Sequence, residues 1–223
     1  MISFFHRNKG KFNVCEDSLT AVVFDTLKYL PSELFWSILK KSLYQDKLPY
    51  SCGEILSIEY WQKWNANKTT NSKFVEPDIF IRFNEFDIII EAKRYNTFQQ
   101  SDTQIKNEIQ AYFNEYEQED KKLYFIQLGG LYNKNNIENI IEHKTEVVIC
   151  KTDWTKILDQ VVFERNKIKD NDLSFLKSYT RILDDTIIGF ELHQFYKKIW
   201  LKDLKVKNTI NYTSLKKLFS YAK

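Results

Sequence analysis

The sequence predicts a mixed α/β domain, a sheet with parallel and antiparallel strands flanked by helices, with a helical C-terminal extension. Three observations predict it. Two β-branched runs, Ile79-Phe80-Ile81 and Ile88-Ile89-Ile90, flank the polar pair Asn84-Glu85, the pattern of a hairpin. Two further apolar runs, 123–128 (LYFIQL) and 146–150 (EVVIC), alternate with segments of helical periodicity, which implies parallel crossovers beside that hairpin. Only 5 Gly and 3 Pro occur in 223 residues, which argues against disorder and against a loop-rich all-β fold.

Taken in order, residues 1–13 read as irregular or as a short edge strand. Over 16–30, Leu19, Val23, Leu27 and Leu30 recur at helical spacing, and Glu16 lies on the same stripe. Pro31-Ser32 breaks the chain, and Ser32 is placed to cap a second helix to about 43, with Leu34, Phe35, Ile38, Leu39 and Leu43 on its apolar face. Residues 54–61 (EILSIEYW) alternate as a strand, with Ile55, Ser57 and Glu59 on one face and Leu56, Ile58 and Tyr60 on the other. The stretch 65–73, rich in Asn, Thr and Lys, reads as a mobile polar loop that could touch substrate, because the hairpin follows it.

Beyond the hairpin, a helix over 101–118 buries Ile105, Ile109, Tyr112, Phe113 and Tyr116, and Ser101-x-x-Gln104 has the form of a capping box. The apolar strand 123–128 stops at Gly129-Gly130. A short helix is expected over 136–143, a buried strand over 146–150, and a helix capped by Asp153 to about 164, with Ile157, Leu158, Val161 and Val162 as its core face. From 172 the chain reads as helical: Leu173, Phe175, Leu176, Tyr179 and Leu183 form one stripe, and 212–221 is a short amphipathic helix. The domain plan is a core over 1–168 with an extension over 169–223 packed on it.

Composition excludes several classes. No apolar run approaches 18 residues, so no membrane partner is expected. The opening MISFFHRNKGKF is too short in apolar length for a signal peptide. Cys15, Cys52 and Cys150 are odd in number and far apart, as expected of reduced, mostly buried thiols in a cytoplasmic protein. Neither they nor His6, His143 and His193 have zinc spacing, and there is no Gly-rich phosphate loop, nucleophile elbow or zinc-peptidase helix. The net charge of +3 is uneven: residues 197–223 hold eight lysines against one acid, Asp203, or +7, leaving 25 basic and 29 acidic residues, or −4, elsewhere. Lys197, Lys198, Lys202, Lys205 and Lys207, interleaved with aromatics, form a candidate nucleic-acid-binding stretch; a packed helix with a solvated Lys face fits the pattern equally.

The hairpin concentrates the chemistry. With Asn84 and Glu85 as the turn, Arg82 faces Asp87, Ile81 faces Ile88, Ile79 faces Ile90, and Asp78 faces Glu91. Opposed residues of an antiparallel pair share a face with Cβ atoms ~5 Å apart. Lys93, two beyond Glu91, shares it too. Two carboxylates so close are unfavourable unless a cation lies between them, and a divalent metal with oxygen ligands answers that need.

Pro77-Asp78 followed by Glu91-Ala92-Lys93 resembles the signature of the PD-(D/E)XK, or restriction-endonuclease-like, nuclease superfamily. The resemblance implies that fold, and a Mg²⁺-dependent endonuclease, with Mn²⁺ as a substitute. It implies that Asp78, Glu91 and the Ala92 carbonyl hold the metal and that Lys93 orients or activates the attacking water. An acid on the first helix often joins such sites, and Glu16 fits it; the rival reading is a first-turn acid stabilised by the helix dipole. A Gln on the helix after the hairpin recurs in several branches, and Gln104 fits it; the rival role is the capping box. The implied partner is nucleic acid, DNA ahead of RNA, met as a homodimer or within a larger antiviral-defence complex, or in repair. The alternative is a nuclease-like nucleic-acid- or partner-binding protein active only within a complex.

Overall fold

The computed structural model describes residues 2–7, 9–95, 98–135, 138–142, 145–169 and 176–197. Six strands form one mixed sheet in the order β1 (Ile55–Tyr60), β4 (Ile79–Phe83), β5 (Phe86–Ala92), β6 (Lys122–Leu128), β8 (Thr145–Thr152), β7 (Glu138–Glu142). The β1–β4, β4–β5 and β7–β8 pairs are antiparallel, and β5–β6 and β6–β8 are parallel. A two-stranded ribbon, β2 (Trp64–Asn65) with β3 (Phe74–Val75), stands apart. The helices are α1 (Ile2–His6), α2 (Glu16–Leu27), α3 (Ser32–Ser42), α4 (Asp102–Tyr116), α5 (Trp154–Lys169) and α6 (Leu176–Leu192). The mixed sheet flanked by helices is the architecture that the alternating elements predict.

Each sheet face has its own core. Ile79, Ile81, Ile88, Ile90, Ile126 and Cys150 point to the face covered by α2, α3, α5 and α6. Phe80, Ile89, Leu123, Phe125 and Ile149 point to the face covered by α4 and the β2–β3 ribbon. Period-2 alternation in central strands buried on both sides produces this division. In the larger core Trp154 lies edge-on to Phe24 and Phe190, at 6.4 and 6.2 Å between centroids, so α2, α5 and α6 meet around one indole. Within that core α6 contributes Leu183 and Phe190, and its Gly189 lets Val22 of α2 approach closely.

Five expectations are corrected. Of the helix expected over 136–143, the described residues 138–142 are instead the edge strand β7. Ile137, Ile140 and Ile141 fit helical spacing, but β-branched residues suit a strand, and pairing with β8 decides the outcome. The β6-to-β8 crossover therefore passes through an antiparallel edge strand rather than a helix. Over 1–13, expected to be irregular or a short edge strand, residues 2–6 form the short helix α1 and 9–13 are irregular. In β1 a bulge between Ile55 and Ser57 shifts the alternation: Ile55, Ile58 and Tyr60 all pack on the larger core, while Leu56 is 51% exposed. Finally, the 65–73 loop is tied down rather than left free: Asn114 donates to the carbonyls of Asn65 and Asn67, and Asn107 bonds Thr70 and Asn71. Ser32 is the first residue of α3 and makes no cap bond.

Candidate active site

The hairpin has the expected register, Arg82 opposite Asp87 through Ile79 opposite Ile90, turned by Asn84 and Glu85. One step further, Asp78 stands beside Glu91. On β5, Ile88, Ile90 and Ala92 face the larger core, so Glu91 faces α4. The three motif residues meet at the C-terminal end of β5. Asp78 Oδ2 accepts from the Ala92 amide at 2.8 Å, and Glu91 Oε1 accepts from the Lys93 ammonium. All three side chains are largely buried.

Helices from both faces complete the cluster. The N-terminus of α2 reaches over the strand end: Glu16 Oε2 accepts from the Arg94 amide at 2.8 Å, and Oε1 lies 3.5 Å from Lys93 Nζ. Glu16 thus points to the cluster rather than into the core. From α4, Gln104 Nε2 donates to Glu91 Oε1 at 2.7 Å. Gln104 makes contacts at both ends. Its amide is capped by Ser101 Oγ at 3.4 Å, while its side chain turns to Glu91 instead of closing the box.

Sequence reasoning missed Glu108. It lies one turn after Gln104 on α4, is 1% exposed, faces Glu91, and neither of its oxygens finds a donor. Its i+4 spacing from Gln104 was the available signal. Burial, then the charges of Glu91 and Asp78, hold the Glu108 carboxyl well above the usual carboxylate range. Burial and the Glu91 charge push Asp78 up to about 7, against the Ala92 amide and Lys93. For Lys93, burial favours the neutral amine, but Glu91, Glu16 and Asp78 outweigh it and raise the value.

The loops behind the lysine are locked. Lys93 donates its amide to the Leu128 carbonyl at 2.7 Å, and its own carbonyl accepts from Trp154 Nε1 at 2.9 Å. Gly129 and Gly130 adopt φ of 73° and 63°, and a Cβ on Gly130 would come within 2.7 Å of Lys93 Cβ. Only glycine permits that approach. Gln100 Nε2 ties the Glu91 and Gly129 carbonyls together, each at 3.1 Å.

These donors suit a hard divalent cation: buried carboxylates face one another, and Glu91 Oε2 has no partner. Among the described residues no group of three or more His, Cys, Asp or Glu is arranged to hold a metal; Asp78, Glu91 and the main chain at Ala92 are the candidate ligands only as the motif resemblance implies. A polar cleft of about 420 Å³, lined in part by Thr70, Asn71, Ser101, Gln104 and Glu108, opens beside the cluster under the β2–β3 ribbon. Of the tail lysines, Lys197 is exposed, and Lys198, Lys202, Lys205 and Lys207 lie outside the described residues, as does the helix expected over 212–221. Among the described residues no helix is long and apolar enough to cross a membrane.

No family model matches the chain. Among solved structures, the refined half-complex from the tetradecameric assembly of Thermococcus gammatolerans McrB AAA+ hexamers with bound McrC aligns with 58% of this chain and 28% of that chain, at 14% identity and a TM-score of 0.29. At that score the likeness carries no argument. The chain is 35% identical over 218 residues to the uncharacterized protein PM0110 of Pasteurella multocida (strain Pm70), with 91% of this chain and 79% of that protein covered. The chain belongs to the same family as that Pasteurella protein.

Proposed function

We propose that the protein is a divalent-metal-dependent nuclease that hydrolyses phosphodiester bonds, of DNA ahead of RNA, in genome defence or repair. The observation that carries the reading is the meeting of Asp78, Glu91 and Lys93 at one strand end, with Glu91 Oε2 buried and unpartnered. A Mg²⁺ or Mn²⁺ ion held by Asp78, Glu91 and the Ala92 carbonyl would neutralise the scissile phosphate and acidify a bound water.

The chain's own groups do the rest. Lys93, released from Glu91, donates to a phosphate oxygen and orients the attacking water. In the metal-free protein Glu91, Glu16 and Asp78 outweigh burial and raise its pKa, which favours the ammonium. Gln104 fixes one Glu91 oxygen and leaves the other free for its ligand role. Glu16 holds the Arg94 amide and steadies the turn that aims Lys93. Gly129 and Gly130 let the neighbouring loop press against Lys93, which limits its freedom before reaction.

The test is incubation with linear DNA, circular DNA and RNA, with and without Mg²⁺, for wild type and Asp78→Ala. Cleavage that needs Mg²⁺ and disappears in the variant is expected. Cleavage that survives the variant would refute the assignment. The lysines of 197–207 extend the reading to substrate binding: neutralising all five should flatten the salt dependence of DNA affinity by a log–log slope of about 0.9 per lost phosphate contact.

A further inference from the structure

Three aromatic side chains stand in solvent beside the lysine. Tyr95, Phe98 and Tyr132 are 56%, 70% and 82% exposed. They belong to the loops that leave β5 and β6, two neighbouring parallel strands, at the ends where the site lies. Phe98 and Tyr132 meet edge to face, 4.8 Å between centroids. Phe98 holds a φ of 38°, a conformation that bulky residues rarely adopt, so the backbone is strained where the ring is turned outward. The loops are joined to each other and to the site: the Gly130 amide donates to the Tyr95 carbonyl, and the Gln99 amide to the Gly130 carbonyl at 2.9 Å. Tyr95 is two residues from Lys93.

Charge says what such a surface would take. Arg94 lies over the Tyr95 ring at 5.1 Å, and its guanidinium donates to the Val14 carbonyl and the Tyr95 hydroxyl rather than to a carboxylate. Lys134 follows Tyr132 by two residues; its side chain is 44% exposed, and its ammonium is shared with Asp153 at 3.1 Å. Residues 94–101 and 129–135 contain no Asp or Glu. Exposed aromatic rings with a guanidinium among them match a strand whose bases stack while its phosphates pair with Arg and with a partly exposed Lys. A duplex hides its base faces in its own stack and could not use these rings.

We infer that Tyr95, Phe98 and Tyr132, with Arg94 and Lys134, form a stacking platform for single-stranded nucleic acid that leads the strand to the Asp78–Glu91–Lys93 site. The inference rests on the nuclease reading for the strand's destination, while the binding itself stands on the rings and charges. It assigns the substrate class: single strands, overhangs or frayed ends ahead of intact duplex.

The test is fluorescence anisotropy with a short labelled oligodeoxynucleotide, single-stranded or as a blunt duplex, in metal-free buffer. The proteins are wild type, Phe98→Ala, Tyr132→Ala and Tyr132→Trp. Melting of each, measured alongside, should match wild type because both rings are exposed. Wild type should prefer the single strand. Each alanine should weaken it roughly 5- to 100-fold, the range of one lost base stack, with little change on duplex. Tyr132→Trp should retain binding. Unchanged single-strand affinity in both alanine variants would overturn the platform and leave the rings to a protein partner. Ring-dependent binding by a protein that cleaves nothing in Mg²⁺ would support the platform while refuting the nuclease reading. Mg²⁺-dependent cleavage without ring-dependent binding would do the reverse.

Discussion

Strand β5 carries a buried acid at each end, both turned toward α4, and the two could hardly be housed more differently. At the start, Asp87 is met by two cations and a phenol: Arg82 at 3.4 Å, Lys121 at 3.5 Å and the Tyr112 hydroxyl at 3.1 Å. At the end, Glu91 is met by two further acids, Asp78 and Glu108, with one lysine shared among them and Glu16. Burial raises the pKa of Asp87 even with its cations in place. Yet each of its oxygens is partnered, whereas Glu91 Oε2 and both oxygens of Glu108 are not. Other buried polar atoms also lack partners, Arg82 Nε among them, but among the described residues only at this end of β5 are the unpartnered atoms acid oxygens gathered around one another. The first cluster reads as architecture and the second as a site held ready for a cation and an anionic substrate. Substitutions should therefore fail in opposite ways at the two ends.

The largest contrast is expected at Lys93. Lys93→Ala removes a donor from a charge that grows in the transition state and should cut single-turnover cleavage by ~10²–10³-fold. The pairing with Glu91 and Glu16 also decides its effect on folding. Lys93 is not an isolated ammonium whose loss relieves the sheet; it is the cation that these acids share, so the metal-free variant should melt below wild type. Cleavage at the wild-type rate would remove Lys93 from the site and collapse the distinction between the two ends.

Asp87→Ala should do the reverse. It leaves Arg82, Lys121 and Tyr112 without their shared acceptor. Breaking a buried charge cluster costs about 3 kcal/mol here, the low end of the usual range, because Arg82 and Lys121 keep Glu119. Denaturant unfolding measures the loss. Cleavage per folded molecule should be unchanged, and a stable but inactive variant would show that this end also serves the chemistry.

A third acid tests whether fully partnered carboxylates in this fold behave as architecture. Asp153 caps α5 through the Lys156 amide at 2.9 Å and also takes Lys134 and the Tyr44 hydroxyl. Burial alone would raise its pKa, but these three bonds outweigh it and lower the value. A depressed carboxylate contributes stability at pH above its unfolded value, near 3.8, and that contribution is lost as pH falls through the lower folded value. Asp153→Ala should therefore cost about 1–2 kcal/mol at neutral pH, with the gap to wild type closing below pH ~4. A gap that widened on acidification would contradict the assignment.

The contrast between the ends of β5 was half legible in the sequence. The hairpin register follows from strand periodicity and a two-residue turn, so the pairing of Arg82 with Asp87 and of Asp78 with Glu91 could be read directly. Glu16 and Gln104 were readable as candidates because the motif resemblance implies an acid on the first helix and a Gln on the helix after the hairpin. Glu108 was not, because the stripe of α4 was traced through its apolar residues and a fully buried acid hides among them. The bulge in β1 and the edge strand β7 were illegible for a related reason. Both are decided by pairing with another strand: β1 with β4, which lies far along the chain, and β7 with β8, which follows at once but behind isoleucines that fit helical spacing equally.

The smallest expected effect is at Glu108, and its sign matters more than its size. Glu108→Gln keeps the shape of the side chain and removes a carboxyl that has no donor, buried against Glu91. The new amide can donate to Glu91 Oε2 without the proton that the raised Glu108 carboxyl must hold to do so, and a hydrogen bond of this kind is worth ~1 kcal/mol. For a chain of this size that corresponds to a rise of about 2–4 °C in the metal-free melt. Filling the vacancy should also weaken Mg²⁺ binding, read by calorimetry, because the same oxygen is then engaged. A variant that melts higher and binds the ion less tightly would mark this end of β5 as kept unsatisfied for function. A melt that falls as far as that of Asp87→Ala would instead make Glu108 a structural partner of Glu91 and erase the difference between the two ends of the strand.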